Sequence, residues 1–168
     1  MNKYQEHWWE QAKSDHAVLV LLRRQNSSQC HQLHYFQMVA EKLAKAYLWR
    51  LGTPPKKKHA GFGMFMRLLL QVPQSRQQQI ADIFAFGRFE DLQNWTTTAL
   101  PLIYELERLA PALSNDGPNP EYPWPHLAPQ NAPATFDFPI WRQLTETGRG
   151  RQLLLIIKTA IDQFPVYG

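Results

Sequence analysis

A chain of 168 residues with 44% hydrophobic side chains is long enough to bury its own core and too apolar to be disordered throughout. Its one cysteine, Cys30, excludes an internal disulfide and fits a reducing cytoplasm. The formal charge of +4 is unevenly spread: residues 1–58 carry +6, 59–110 carry −1, 111–140 carry −3 and 141–168 carry +2. That asymmetry fits a basic face that meets phosphate, and equally an ordinary solvated surface. No run of roughly eighteen apolar residues signals a membrane span, and the opening MNKYQEHWWEQ lacks a signal-peptide core. Cytoplasmic residence is therefore the expectation.

The first helix is expected from about Tyr4 to Arg24, with Trp8, Ala12, Leu19 and Leu22 on its apolar face and Asp15 and His16 midway. Asn26-Ser27-Ser28 makes a compact turn whose side chains can cap a second helix. Leu33, Phe36, Ala40, Leu43 and Tyr47 then draw one apolar stripe at alternating spacings of three and four. This helix is expected to run to about Leu51, where Gly52 and Pro54-Pro55 stop it. The short turn makes the two helices an antiparallel αα-hairpin.

Lys56, Lys57 and Lys58 mark an exposed loop. A short helix is expected between His59 and Val72, weakened by Gly61 and Gly63, and another over Arg76–Phe86 with Ser75 as its cap. A longer one spans about Leu92 to Ala110, where Pro101 sets a kink or a new start. Residues 111–139 hold eight of the thirteen prolines and read as an extended loop, neither a helix nor a second domain. Tyr122, Trp124, Phe136 and Phe138 argue that this loop covers something. A last helix is expected from Arg149 to Phe164, with Leu153, Leu154, Ile156, Ile157 and Ile161 as its core face. The pattern is all-α: one domain, an antiparallel bundle of four or five helices with a long proline-rich loop before the last.

Two stretches carry a family resemblance. Helix one, WWEQAKSDHAVLVLL, places Ala12 and Asp15 as the opening helix of the HEPN (higher eukaryotes and prokaryotes nucleotide-binding) family does. Helix two, with Gln37, Ala40, Glu41, Lys42, Lys45 and Ala46, resembles that family's Q-x-x-x-E-K-x-x-K pattern, and His34 fits a position where it often has His. The resemblance covers about a third of the chain. It implies a HEPN-like bundle that works as a dimer on RNA or nucleotides, either as a binding or regulatory module or as a metal-independent ribonuclease of toxin or defence type. It also brings a nucleotidyltransferase-type partner protein into view.

The ribonuclease members bear Arg-x(4–6)-His, and the pair that meets this spacing here is Arg24 with His31. An imidazole titrating near neutrality can move the proton of a 2′-hydroxyl while a guanidinium stabilises charge on phosphorus. The pair departs from the family pattern by lying at the junction of helices one and two. The other reading makes Arg24 a charge at a helix C-terminus and His31 a surface residue.

His34, Glu41 and Lys45 form a polar strip that either lines a nucleotide or RNA groove or is a solvated face with an i,i+4 ion pair. Lys56, Lys57, Lys58, Arg149 and Arg151 are the candidate phosphate contacts, the last two because they open a helix. Cys30, His31, His34 and Glu41 share faces at metal-ligand spacings, but a fourth ligand would have to come from His59 or His126, and no Glu-x-x-His occurs. No metal and no cofactor are expected, since Gly61 and Gly63 lack the strand and GK[ST] of a phosphate loop. Trp8, Trp9 and Trp49 exceed what a small bundle must bury, which motivates a homodimer through helices one and two unless the aromatic loop covers them. The third functional reading is a protein-interaction bundle without a nucleic-acid partner, its contact surface running from Pro118 to Phe138.

Overall fold

The computed structural model describes residues 1–51, 59–127 and 130–168. Four long helices dominate: α1 (Lys3–Arg24), α2 (Gln29–Leu48), α5 (Phe89–Arg108) and α7 (Gly148–Asp162). Shorter ones fill the gaps, namely α3 (Phe62–Leu69), α4 (Gln74–Ile83), α6 (Pro139–Glu146) and α8 (Phe164–Tyr167). Among the described residues there is no β-strand, only one isolated bridge between Trp124 and Asn131. The chain is an all-α bundle.

The α1–α2 hairpin is antiparallel, as the turn length requires. Asn2 at the start of α1 donates from Nδ2 to the carbonyl of Trp49 at the end of α2, at 3.1 Å. Tyr4 stacks on Trp49 with ring centroids 4.3 Å apart. Asn2 and Gln5 close a capping box at the head of α1. At its foot Asn26 takes φ 50°, a left-handed position that Asn tolerates, and Ser27 N–H returns to the Leu22 carbonyl. All five stripe residues of α2 are buried. Trp9 on α1 donates to the Ile161 carbonyl of α7 at 2.8 Å and stacks on Phe164. Trp8, Trp9 and Trp49 are thus each half-buried against partners in their own chain. The last helices bring Tyr167 into an aromatic core with Tyr47, Phe65, Phe84 and Phe164.

Several boundaries differ from expectation. The α-helix of α2 ends at Leu48 and tightens into a 3₁₀ turn, Trp49–Leu51; Gly52 and Pro54-Pro55 lie outside the described residues. Helix α3 keeps only eight residues because Gly61, extended at φ −166°, stands before it and Pro73 follows. Ser75 is inside α4, whose N-cap is Pro73. Helix α5 runs unbroken through Pro101, which lies on the exposed side beside Thr97, where water can serve the carbonyl that loses its donor. The loop does precede the last long helix, but it ends earlier than 139 suggests. Pro139 opens α6, which sequence periodicity misses because eight residues show only the Ile140–Leu144 pair on the buried face.

The loop itself is built. Asn119, buried, accepts from the N–H groups of Glu121 and Tyr122 and donates to the Gly117 carbonyl. Asp116 receives the His126 N–H at 2.7 Å. Trp124 and Phe138 are buried and Phe136 half-buried, packed on one another, whereas Tyr122 is 60% exposed. Three of the four aromatics cover the core, and Gln29 of α2 fixes the loop's end by accepting from Phe138 N–H.

Candidate functional site

The residues of the α2 pattern lie in two buried charge networks. Asp15 of α1 takes an ion pair from Lys42 and a 3.1 Å hydrogen bond from Gln11. Glu41, buried, accepts from Gln37 at 3.1 Å, from Lys45 one turn on, and from His59 Nδ1 at 2.9 Å. Burial pushes the Glu41 carboxyl up, but the hydrogen bonds from Lys45, His59 and Gln37 and the Lys45 charge outweigh it, and the net shift is downward. Lys45 also sits 4.7 Å from the centre of the Trp8 ring. The strip of His34, Glu41 and Lys45 is therefore not a solvated face. Glu41 and Lys45 are joined and largely enclosed, while His34 stands apart from them. Its Nδ1 is 3.3 Å from Glu121 Oε1, off the line a hydrogen bond needs, and its ring meets Tyr35 edge-on.

Arg24 and His31 are both exposed, at either end of the hairpin turn. His31 Nδ1 is 3.3 Å from Ser28 Oγ. No hydrogen bond joins the two, and neither side chain lines a described cleft. Among the phosphate candidates, Lys56, Lys57 and Lys58 lie outside the described residues. Arg151 is spent on the end of α6, where Nη1 donates to the Glu146 carbonyl at 2.8 Å. Arg149 is exposed with no carboxylate partner among the described residues. Thr147 caps α7 through the Gly150 N–H, and Gly150 itself is pressed against α6, since a Cβ there would lie 2.1 Å from the Gln143 carbonyl oxygen. No group of three His, Cys, Asp or Glu side chains gathers as a metal would require among the described residues.

A concave surface that the sequence did not announce follows α5. One cleft of about 250 Å³ is lined by Ala60, Gly61, Met64, Arg67, Tyr104 and Glu107. A second of about 230 Å³ shares Ala60, Tyr104 and Glu107 and adds Arg108 and Leu113. A third of about 440 Å³ shares Arg108 and Leu113 and continues past Glu105 to Pro139 and Ile140. The three adjoin in one trough.

Glu107 anchors its floor. Although its residue is buried, one oxygen, Oε1, accepts from Gly61 N–H at 2.9 Å and Gly63 N–H at 3.0 Å, so a carboxylate sits at the positive end of α3. A Cβ at Gly63 would come within 2.5 Å of Tyr104 Cε1 and push the ring aside. The Arg67 guanidinium is 5.7 Å from the centroid of the Tyr104 ring. One signal was legible beforehand: Glu107 falls four residues after Ile103 on the apolar stripe of α5, where a lone carboxylate needs donors to be tolerated. The pairing of those donors with Gly61 and Gly63 was not.

Compared with family models, with curated proteins and with solved structures, the chain matches none.

Proposed function

We propose that this protein is a HEPN-like cytoplasmic module that binds RNA or nucleotides and regulates rather than cuts. The supporting observation is how the chain uses its cations. Lys42 and Lys45 are consumed by Asp15 and Glu41 inside the bundle. Arg23, Arg24, Arg67, Arg108 and Arg149 are exposed and meet no carboxylate among the described residues. Unpaired guanidinium groups recruit phosphate without first surrendering an internal partner, and their planar N–H fork matches phosphate oxygens. Among the described residues no helix is long and apolar enough to cross a membrane.

Binding without cleavage is favoured because Arg24 and His31 stand exposed, with no cleft among the described residues to exclude water around them or to position a 2′-hydroxyl. Self-association and a nucleotidyltransferase-type partner rest on the family resemblance alone, the tryptophan surplus having found partners within the chain.

The test is incubation of purified protein and of its His31→Ala variant with mixed RNA and chelator, alongside affinity measured over a salt series. The expected result is affinity that falls steeply with salt, weakens on neutralising Lys56 to Lys58, and yields no product from either protein. Product from the wild type alone would make the protein a ribonuclease with His31 in its site. Absence of RNA affinity at low salt would leave the protein-interaction reading, and a monomer mass in sedimentation at micromolar concentration would remove the dimer.

A further inference from the structure

Glu107 carries an oxygen that the fold does not use. Its Oε1 accepts both the Gly61 and the Gly63 N–H, but Oε2 has no hydrogen-bond partner among the described residues and is not sealed from solvent. Glu107 is only 8% exposed and lines both smaller clefts, so Oε2 is a fixed, half-used carboxylate oxygen open to them. Each of those clefts is lined by one carboxylate and one guanidinium, the carboxylate being Glu107 in both. Arg67 supplies the cation of one and Arg108 that of the other, and neither forms an ion pair with Glu107 among the described residues. Opposite charges that line one cleft without touching leave room for a ligand that carries both. Of the two cations, Arg67 is the one placed to act with Glu107. Glu107 and Arg108 are consecutive on α5, and consecutive helix residues do not face each other, whereas Arg67 comes from α3 on the other wall. The same cleft, of about 250 Å³, adds the Tyr104 ring and two apolar side chains, Ala60 and the 57% exposed Met64.

We infer that this cleft takes a small zwitterion of the α-amino-acid class, its ammonium donating to Glu107 Oε2 and its carboxylate accepting from Arg67. An ammonium beside an aromatic ring answers a buried carboxylate with an open oxygen, and a guanidinium fork answers a carboxylate. Ala60 and Met64 favour an apolar side chain on the ligand. A bare amine would leave Arg67 unanswered, and a bare carboxylate would face the charge of Glu107. A nucleotide would bring net negative charge to a lining whose charges already balance. The site goes beyond the RNA-binding reading and does not depend on it.

Ligand-observed NMR on the full chain tests this with millimolar leucine, isoleucine, valine, methionine and phenylalanine as probes. Isoamylamine and isocaproate, which are leucine without its carboxylate and without its ammonium, and AMP complete the set. At least one of the amino acids is expected to bind, and the two leucine analogues to bind at least tenfold more weakly than leucine, each having lost one charge-assisted contact. Arg67→Gln and Glu107→Gln are each expected to lose at least tenfold in amino-acid affinity, and Arg108→Gln less than threefold. Thermal melts establish that each variant is folded. Because Arg67→Gln touches none of the hydrogen bonds that hold α3, its loss separates ligand contact from the structural role of Glu107. No binding by any of the five amino acids would overturn the site. Isoamylamine or isocaproate bound as tightly as leucine would overturn the zwitterion in favour of a plain cation or a plain anion. AMP that binds more tightly than the amino acids and displaces them would overturn it in favour of a nucleotide. A loss carried by Arg108→Gln with Arg67→Gln unchanged would overturn the assignment to this cleft.

Discussion

The α1–α2 hairpin and the α5 flank handle charge in opposite ways. In the hairpin each buried carboxylate meets a lysine close by: Asp15 with Lys42 across the helices, Glu41 with Lys45 along one of them. On the α5 flank the buried carboxylate, Glu107, is satisfied by backbone N–H groups, and Arg67 and Arg108 meet no acidic partner among the described residues. A carboxylate neutralised by a helix end frees the cations around it, whereas one neutralised by lysines uses them up. Charged residues that look functional in a sequence can therefore be the structural ones, and the reverse.

Substitutions can break that comparison or sharpen it. The largest effect is expected from Glu107→Leu, which strips two charge-assisted hydrogen bonds and leaves buried N–H groups at the start of α3, at about 3 kcal/mol. Glu107→Gln keeps an acceptor and should cost about 1 kcal/mol. Urea denaturation reads both, and equal losses would mean that the charge at the α3 terminus does nothing. Glu41→Leu should cost about 2 kcal/mol, below the 3–5 of a sealed ion pair, because Lys45 and His59 still reach water. A cost larger than that of Glu107→Leu would reverse the ranking of the two regions.

Next in size is Gly63→Ala, expected at about 1.5 kcal/mol because the ring of Tyr104 must shift from the new methyl. Urea denaturation reads this loss, and an unchanged midpoint would mean that the ring yields without cost.

Two groups of the hairpin make stability depend on pH. Glu41 is held below its ordinary value of 4.5, so its contribution is complete above that pH and is lost as pH falls through the lower folded value. His16 is also shifted down from 6.5, by burial first and by the Lys158 and Arg23 charges, against an upward pull from Asp162. A neutral histidine in the fold means stability that is full above pH 6.5 and declines below it. Melting temperatures from pH 8 to pH 3 should fall in those two windows, with His16→Asn removing the upper fall and Glu41→Gln the lower. The smallest effect belongs to the joint change Arg24→Ala, His31→Ala, under about 0.5 kcal/mol, since both side chains are exposed. A larger loss would show the hairpin turn to be braced by them.

The helices were legible because amphipathic periodicity is local. Leu33, Phe36, Ala40, Leu43 and Tyr47 mark a buried stripe wherever the partner lies, and Asn26 announces a turn by its own backbone preference. Helix α6 was not legible, its two buried turns being too few to show a period. Among the site residues, the ion pair of Glu41 with Lys45 could be read from its i,i+4 spacing, but its third partner could not, because His59 arrives from another segment.

The trough lies furthest from the sequence. Gly61, Arg67, Tyr104, Arg108 and Leu113 come from α3 with its approach, α5, and the loop beyond it. No spacing rule links α3 to residues this far along the chain. What the sequence determined by itself is the all-helical bundle, its hairpin and its surplus of cations, since these follow from local periodicity, turn preference and composition. Which cations are consumed and which are left to face a partner was decided by tertiary structure, because a charge's cost and availability depend on the neighbours that packing brings to it.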